Sequence, residues 1–217
     1  MSDSEITLYG VERSGHVHRV ALLLRMLELP YRFVEAPAEV RRSADFLRLN
    51  PLGQIPVLQD GPLVITDSNA ILVYLVKRHA PGSSWLPDDP VGAAQVQRWL
   101  SIAAGEVRYG PALARGMVHF RMPGDRNGAI ETAGRLLRFM EAHLADRTQL
   151  GERAWLAAEH PTIADLACYS YVARAPEGGI SLDPYPSVRA WLARVEKLPR
   201  FLPMFAFPIP PANTPTG

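Results

Sequence analysis

The stretch ITLYGVERSGHVHRVALLLRMLELPYRFVE (residues 6–35) decides the fold. Ile6-Thr7-Leu8-Tyr9 reads as a strand, and Gly10 closes it. Ser14 then precedes a run from about His16 to Glu28, in which Val17, Val20, Ala21, Leu24 and Leu27 recur at helical spacing. Pro30 lacks an N–H and clashes with the preceding turn, so it is expected to stop that helix. Tyr31 to Glu35 reads as a second strand. Strand, helix, strand implies a parallel pair joined by a crossover.

Outward from this unit, Ala44 to Leu49 reads as a short helix ending before Asn50-Pro51. Ile55–Gln59 and Leu63–Thr66 are apolar runs with Asp60-Gly61 between them, a hairpin signal that makes these strands antiparallel. Asp67-Ser68 opens a helix with Ile71, Leu72, Leu75 and Val76 on its apolar face. Residues 1–80 therefore read β-α-β-α-β-β-α. Residues 81–90 (PGSSWLPDDP) have linker composition and mark the domain boundary.

No strand is expected beyond the linker. Val91 to Phe120 is one long helical pattern with Pro111 as its kink. Asp125 can cap a helix to about Leu144, with Ile130, Ala133, Leu137, Met140 and Leu144 inward. Thr162-Ile163-Ala164-Asp165 resembles a capping box before the apolar run Leu166 to Val172. Ser187 to Lys197 is the last helix, carrying Val188, Trp191, Leu192 and Val195. Residues 91–207 are thus an all-helical domain, and 208–217 (PIPPANTPTG) a loose proline-rich tail.

The 217 residues carry a formal net charge of +1, which excludes a field that recruits nucleic acid or an anionic membrane. Hydrophobic residues make 47% and charged residues 21%, a soluble globular balance. No apolar run approaches the ~18 residues of a membrane span. The polar start Met1 to Glu5 is unlike a signal segment. Cys168, the single cysteine, allows no intrachain disulfide, which points to a reducing, cytoplasmic setting.

A β-α-β-α-β-β-α unit followed by helices resembles the cytosolic glutathione transferase superfamily. LYGVERSGHVHRVALLL (8–24) is similar to the first strand, active-site loop and first helix of theta- and phi-like members. RRSADFLRLNPLGQIPVL (41–58) is similar to the family's glutathione loop and the strand that opens with Ile-Pro. ITDSNAI (65–71) resembles the acidic-Ser helix start, and Thr162–Asp165 the capping motif of the buried helix in the second domain. The motifs stand in family order and spacing over nearly the whole chain. The resemblance implies a thioredoxin-like glutathione-binding domain, an all-α domain, a homodimer pairing unlike domains, and glutathione as co-substrate with no metal.

It also implies roles. Ser14 would stabilise the glutathione thiolate, although its position equally suits a plain helix cap. Ile55, before a cis Pro56, would pair with the cysteinyl backbone. Ser68 would bind the γ-glutamyl carboxylate at a helix N-terminus, and Asp67 would meet the ammonium or act through its neighbours without touching it. Gln54 and Arg42, or equally Arg41, would reach the glutathione backbone and glycine carboxylate.

His16 and His18, two apart on a helix, point to different sides and do not share an ion. His16 can touch the thiol or a second substrate. That substrate would lie against the long helix, where Arg108, Tyr109, Met117, His119 and Phe120 are candidates by position. Tyr9 is read as structural and Cys168 as core.

Conjugation of glutathione to a small hydrophobic electrophile is the expected activity. Glutathione-dependent reduction of peroxides or disulfides is the alternative, less natural because Ser14 stands where a mixed disulfide needs a cysteine. A non-catalytic binding or assembly module is the reading from a different class.

Overall fold

A computed structural model describes residues 5–149 and 155–210. Four strands form one mixed sheet in the order β2-β1-β3-β4, with β1 Ile6–Gly10, β2 Tyr31–Glu35, β3 Val57–Asp60 and β4 Leu63–Thr66. β1 runs parallel to β2 (Leu8↔Phe33) and antiparallel to β3 (Leu8↔Leu58). β3 and β4 form the expected hairpin around Asp60-Gly61.

Helix α1 (Gly15–Met26) is buried on almost every side, as its continuous apolar body dictates. It lies between the sheet and the second half of the chain. It ends earlier than Pro30 requires: Glu28 takes a left-handed turn at φ 57°, and the Leu29 N–H closes back on the Leu24 carbonyl. On the opposite sheet face, α2 (Ala38–Arg41, not anticipated) and α3 (Ala44–Leu49) cover a small core of Ala36, Phe46 and Val57. Tyr9 belongs to that face, where its ring meets Phe46 edge-on and its hydroxyl donates to Gln59 Oε1 at 3.1 Å. Helix α4 (Ser68–His79) joins α1 on the first face and buries Ile71, Leu72, Leu75 and Val76 as expected. The fold is thus a thioredoxin-like domain followed by helices.

The long helix expected over 91–120 is three pieces. α5 (Pro90–Ile102) passes into a π-helical stretch, Ala103–Ala112, and then α6 (Leu113–Phe120). Pro111 offers no N–H to the ladder, and the chain accommodates it by widening the turn rather than by a simple kink. This stretch packs on α7 (Arg126–Gln149) so closely that a Cβ on Gly110 would lie 2.9 Å from the Ala133 nitrogen. The buried stripe of α7 is Ala129, Ala133, Leu136, Leu137, Met140 and Leu144. Ile130, expected inward, is 38% exposed because it sits one position round from Ala129, off the edge of that stripe.

Helix α8 (Ile163–Ala173) is the centre of the second half, and every residue from Ile163 to Val172 is buried. A short 3₁₀ turn, Ala175–Gly178, and α9 (Pro186–Glu196) complete it. Cys168 is fully buried and its thiol is pushed up to about 12 by desolvation. The proline-rich tail beyond 210 lies outside the described residues. The segment before it has no regular structure but is anchored: His18 Nε2 donates to the Leu202 carbonyl at 2.7 Å, and Arg174 donates to that of Met204.

The carbonyl facing Nε2 fixes the His18 tautomer, so Nδ1 accepts from the Ser170 hydroxyl at 2.9 Å. Burial above all, then Arg174 and Arg19, lowers His18 from 6.5 to about 4, against the opposing pull of Leu202. The unfolded chain therefore binds this proton near 6.5 and the folded one only near 4. The resulting stability is complete above the higher value and is lost as pH falls through the interval. At ~1.4 kcal/mol per pH unit the loss reaches roughly 3 kcal/mol. Urea midpoints measured across that range should fall in the parent and flatten in His18→Gln. An unchanged slope in the variant would assign the titration to other groups.

Asp165 carries the most heavily used carboxylate of the second half. It accepts from Thr162 N (2.9 Å), Thr162 Oγ1 (3.2 Å), Leu156 N (3.0 Å) and Trp191 Nε1 (2.9 Å). Burial pushes its pKa up while these donors pull it down. Asp165→Ala leaves buried donors without partners at a cost of up to ~3 kcal/mol. Thermal melts should show a drop of roughly 2–4 °C per kcal/mol, and an unchanged curve would remove the hub role.

Candidate active site

One end of the sheet gathers the motifs. Register Tyr9↔Val57 brings Ile55 and Pro56 beside the end of β1, where the chain turns into the Ser14 loop. Register Val57↔Thr66 brings Asp67 and Ser68 to the same end. The Ile55–Pro56 peptide is cis. Among the described residues Ile55 makes no backbone hydrogen bond outside the strand ladder, which begins at Val57. Asn50 shapes this loop, donating to the Gln54 carbonyl at 2.8 Å and accepting from Leu52 N at 3.1 Å.

Ser14 is the N-cap of α1, in extended backbone, and its N–H closes on the Val11 carbonyl. Its Oγ accepts from Val17 N at 3.4 Å, which leaves the hydroxyl proton free to donate. Gly15 N donates to the Tyr171 hydroxyl at 3.1 Å. Of the first-turn amides, that of His16 remains available, directed along the positive end of the helix dipole. A Cβ on Gly15 would lie 2.7 Å from the Tyr171 ring, so only glycine admits this contact.

His16 meets Tyr171 edge-on at 4.9 Å. Burial, then Arg19 and Arg108, pull its pKa well below 6.5 and keep it neutral. Arg19 is buried, with Nη1 donating to Ser68 Oγ (3.3 Å) and Asn69 Oδ1 (3.0 Å), while Nε and Nη2 find no partner. It ties the start of α4 to the body of α1, and an anion bound nearby would complement its charge.

At the start of α4, Asp67 has φ 71°, and its Oδ1 accepts from the N–H groups of Asn69 and Ala70. A non-glycine residue in this region costs roughly 1–3 kcal/mol, a price that is concentrated at functional sites. Ser68 is buried beside it. Gln54 and Arg42 are exposed, whereas Arg41 is half-buried with its Nε unpartnered.

The candidates on the long helix separate. Arg108 is exposed and acts on His16, while Tyr109 is 56% exposed beneath the Arg108 guanidinium. His119 stacks on Phe207 at 4.3 Å and donates to the Glu177 carbonyl, with Phe120 edge-on to the same ring. Arg13 lies over Phe120. Among the described residues no group of three His, Cys, Asp or Glu side chains is placed to hold a metal ion.

Tyr171 and Arg19 were not anticipated. Each left a trace in the sequence: a tyrosine within an apolar run needs a partner for its hydroxyl, and an arginine inside the apolar body of α1 needs a reason to be buried.

Two family models match the chain: the glutathione S-transferase N-terminal domain over residues 8–84 and the C-terminal domain over 111–194. Glutathione S-transferase 3 of Zea mays is 31% identical over 218 residues, covering 95% of this chain and 96% of that one. The crystal structure of a glutathione S-transferase from Pseudomonas fluorescens superposes with a TM-score of 0.84 at 32% identity, over 94% of this chain and 100% of the other. A glutathione transferase homologue from Drosophila mojavensis, solved with bound glutathione, gives 0.78 at 28% identity over 90% and 89%. With both domains matched in order and relatives aligned over nearly its full length, the chain belongs to the glutathione S-transferase family.

Proposed function

We propose that this protein is a glutathione transferase that holds the glutathione thiolate with Ser14 for attack on a small hydrophobic electrophile. The observation that carries this is the start of α1, where the Ser14 hydroxyl accepts from Val17 N and keeps its proton to donate, and where, among the described residues, the His16 amide has no backbone partner. A free thiol has a pKa of ~8.5, and the thiolate is the nucleophile. Lowering that value by ~2 units needs roughly 2.7 kcal/mol of preference for the anion. One hydroxyl donor, one amide and a helix N-terminus supply interactions of that size without a general base. The unpaired cation Arg19 adds to them.

Ser68, with its hydroxyl and the N-terminal amides of α4, would take the γ-glutamyl carboxylate, and the second oxygen of Asp67 the ammonium. The free backbone of Ile55 would pair with the cysteinyl residue. Gln54 with Arg42 or Arg41 would reach the glycine end. His16 and Arg108 would border the electrophile, with Tyr109 and His119 farther along the same helix. The buried Cys168 supports no mixed-disulfide route. We place this activity in a cytoplasmic homodimer. An open groove of about 510 Å³ between α4 and α5, lined by Asp67, Tyr74, Gln97 and Ser101 among others, would be the face offered to the second copy.

Ser14→Ala should leave the fold intact and cut conjugation on the order of 10²-fold, as for an oxyanion donor. The bound thiol should titrate closer to ~8.5. Full activity across pH in the variant would reduce Ser14 to a cap.

Asp67→Asn keeps the capping oxygen and a residue tolerant of positive φ, so it isolates the charge. With Ser68→Ala, it should weaken glutathione binding, and kcat should fall less than kcat/KM for glutathione. Calorimetry showing parental affinity in both would take them out of the site.

A further inference from the structure

Both peptide groups that flank Ser14 are held from the helical domain. The Ser14–Gly15 peptide donates its N–H to the Tyr171 hydroxyl at 3.1 Å. The Arg13–Ser14 peptide accepts, through the Arg13 carbonyl, a hydrogen bond from Arg115 Nη1 at 3.0 Å. Arg115 stands on α6 and is 1% exposed.

Its own place is set by further contacts. Nε donates to Glu177 Oε2 at 2.6 Å, and the guanidinium lies over the rings of Phe120 (5.7 Å) and Phe207 (5.0 Å). Glu177 is also buried. Its other oxygen accepts from Phe207 N at 3.0 Å and faces Arg174 Nε at 3.5 Å. The C-terminal segment, the 3₁₀ turn and α6 therefore meet at one charged pair, and that pair extends one donor to the loop of Ser14.

A buried ion pair is weak evidence of stabilisation, since apolar side chains of the same volume often serve a core as well. What an apolar pair lacks is a rigid, planar donor aimed at a backbone carbonyl. We propose that Arg115 is a positioning residue for the reaction, fixing the Arg13–Ser14 peptide so that the Ser14 hydroxyl and the first-turn amides of α1 converge on the glutathione sulfur. The proposal rests on the thiolate role of Ser14. It assigns Arg115 no contact with either substrate. Arg13, Arg19 and Arg108 are the charged groups at the start of α1, with His16 neutral beside them, and Arg13 belongs to the peptide that Arg115 holds.

The test is a mutant cycle read on the thiol. Arg115→Met combined with Glu177→Gln keeps the volume, buries no lone carboxylate and still offers Phe207 N an acceptor. Where that pair fails to fold, Arg115→Lys retains the charge beside Glu177 but lacks the fork. The ultraviolet absorbance of glutathione thiolate in the complex is titrated in each variant, with and without Ser14→Ala. With Ser14 present, loss of Arg115 should raise the titration midpoint by about one unit, a roughly tenfold loss of thiolate below it. Calorimetric affinity for glutathione, measured about a unit below the parental midpoint where the bound thiol is protonated in both proteins, should stay within about twofold, because the γ-glutamyl contacts are remote. In the Ser14→Ala background the same change should have a distinctly smaller effect, because only the first-turn amides are then left to be misplaced. An unchanged thiol titration, or an equal loss in both backgrounds, would overturn the positioning role and leave Arg115 a structural residue. Ser14→Ala without effect on the thiol would instead overturn the underlying reading, and the proposal with it.

Discussion

The contact of α1 with α8 is the constraint on which the rest of this structure depends. α1 must bury its body to fold, while its N-terminal turn has to stand at the end of the sheet where the motifs gather. The buried helix of the other domain satisfies both demands. Its Tyr171 lies flat against Gly15, leaving no room for a Cβ. One turn along, His18 and Ser170 share a hydrogen bond across 152 residues of sequence. α8 is in turn set by Asp165, whose carboxylate joins its own N-terminus to Leu156 and to the indole of Trp191. Packing in one domain thereby determines backbone geometry at the candidate site of the other.

Electrostatics follow from the same arrangement. Arg13, Arg19 and Arg108 surround the start of α1, and among the described residues none of them is in an ion pair. His16 is held neutral by desolvation and by two of these cations. A buried guanidinium bonded only to Ser68 and Asn69 is costly in isolation, and a bound anion relieves that cost. The positive end of α1 adds to the same field. Under the proposed function, this environment would favour an anionic sulfur over a neutral one without any residue that must itself gain or lose a proton.

Local chemistry made much of this legible from the chain. The strand Ile6–Tyr9, the helix Ala44–Leu49, the hairpin at Asp60-Gly61 and the capped helices at Asp67 and Thr162 all rest on contacts within a few residues. Their propensities and caps act the same way in any context. The departures lie where backbone geometry and packing override the periodic pattern. α1 stops at Met26 because Glu28 turns left-handed. The helix widens around Pro111, which offers no N–H to the ladder, and there packs closely on α7 at Gly110. Ile130 faces solvent because the stripe of α7 is set by its neighbour and not by hydrophobicity alone.

The site divides along the same line. The sequence by itself determined that Ser14, Pro56 and the Asp67-Ser68 pair stand at the starts of helices and a strand, since capping and turn chemistry are written in adjacent residues. Only the tertiary structure decided that Arg19 reaches Ser68, that Tyr171 and Arg115 grip the peptides on either side of Ser14, and that His119 turns to Phe207. Those partners lie between 49 and 156 residues apart for the bonds to Ser68, Arg13 and Gly15, and no local periodicity encodes them. The bonds to Gly15 and Arg13 exist because the two domains pack together, that of Arg19 to Ser68 because α1 and α4 share one face of the sheet, and in each case a buried polar atom takes whichever partner the packing brings within reach.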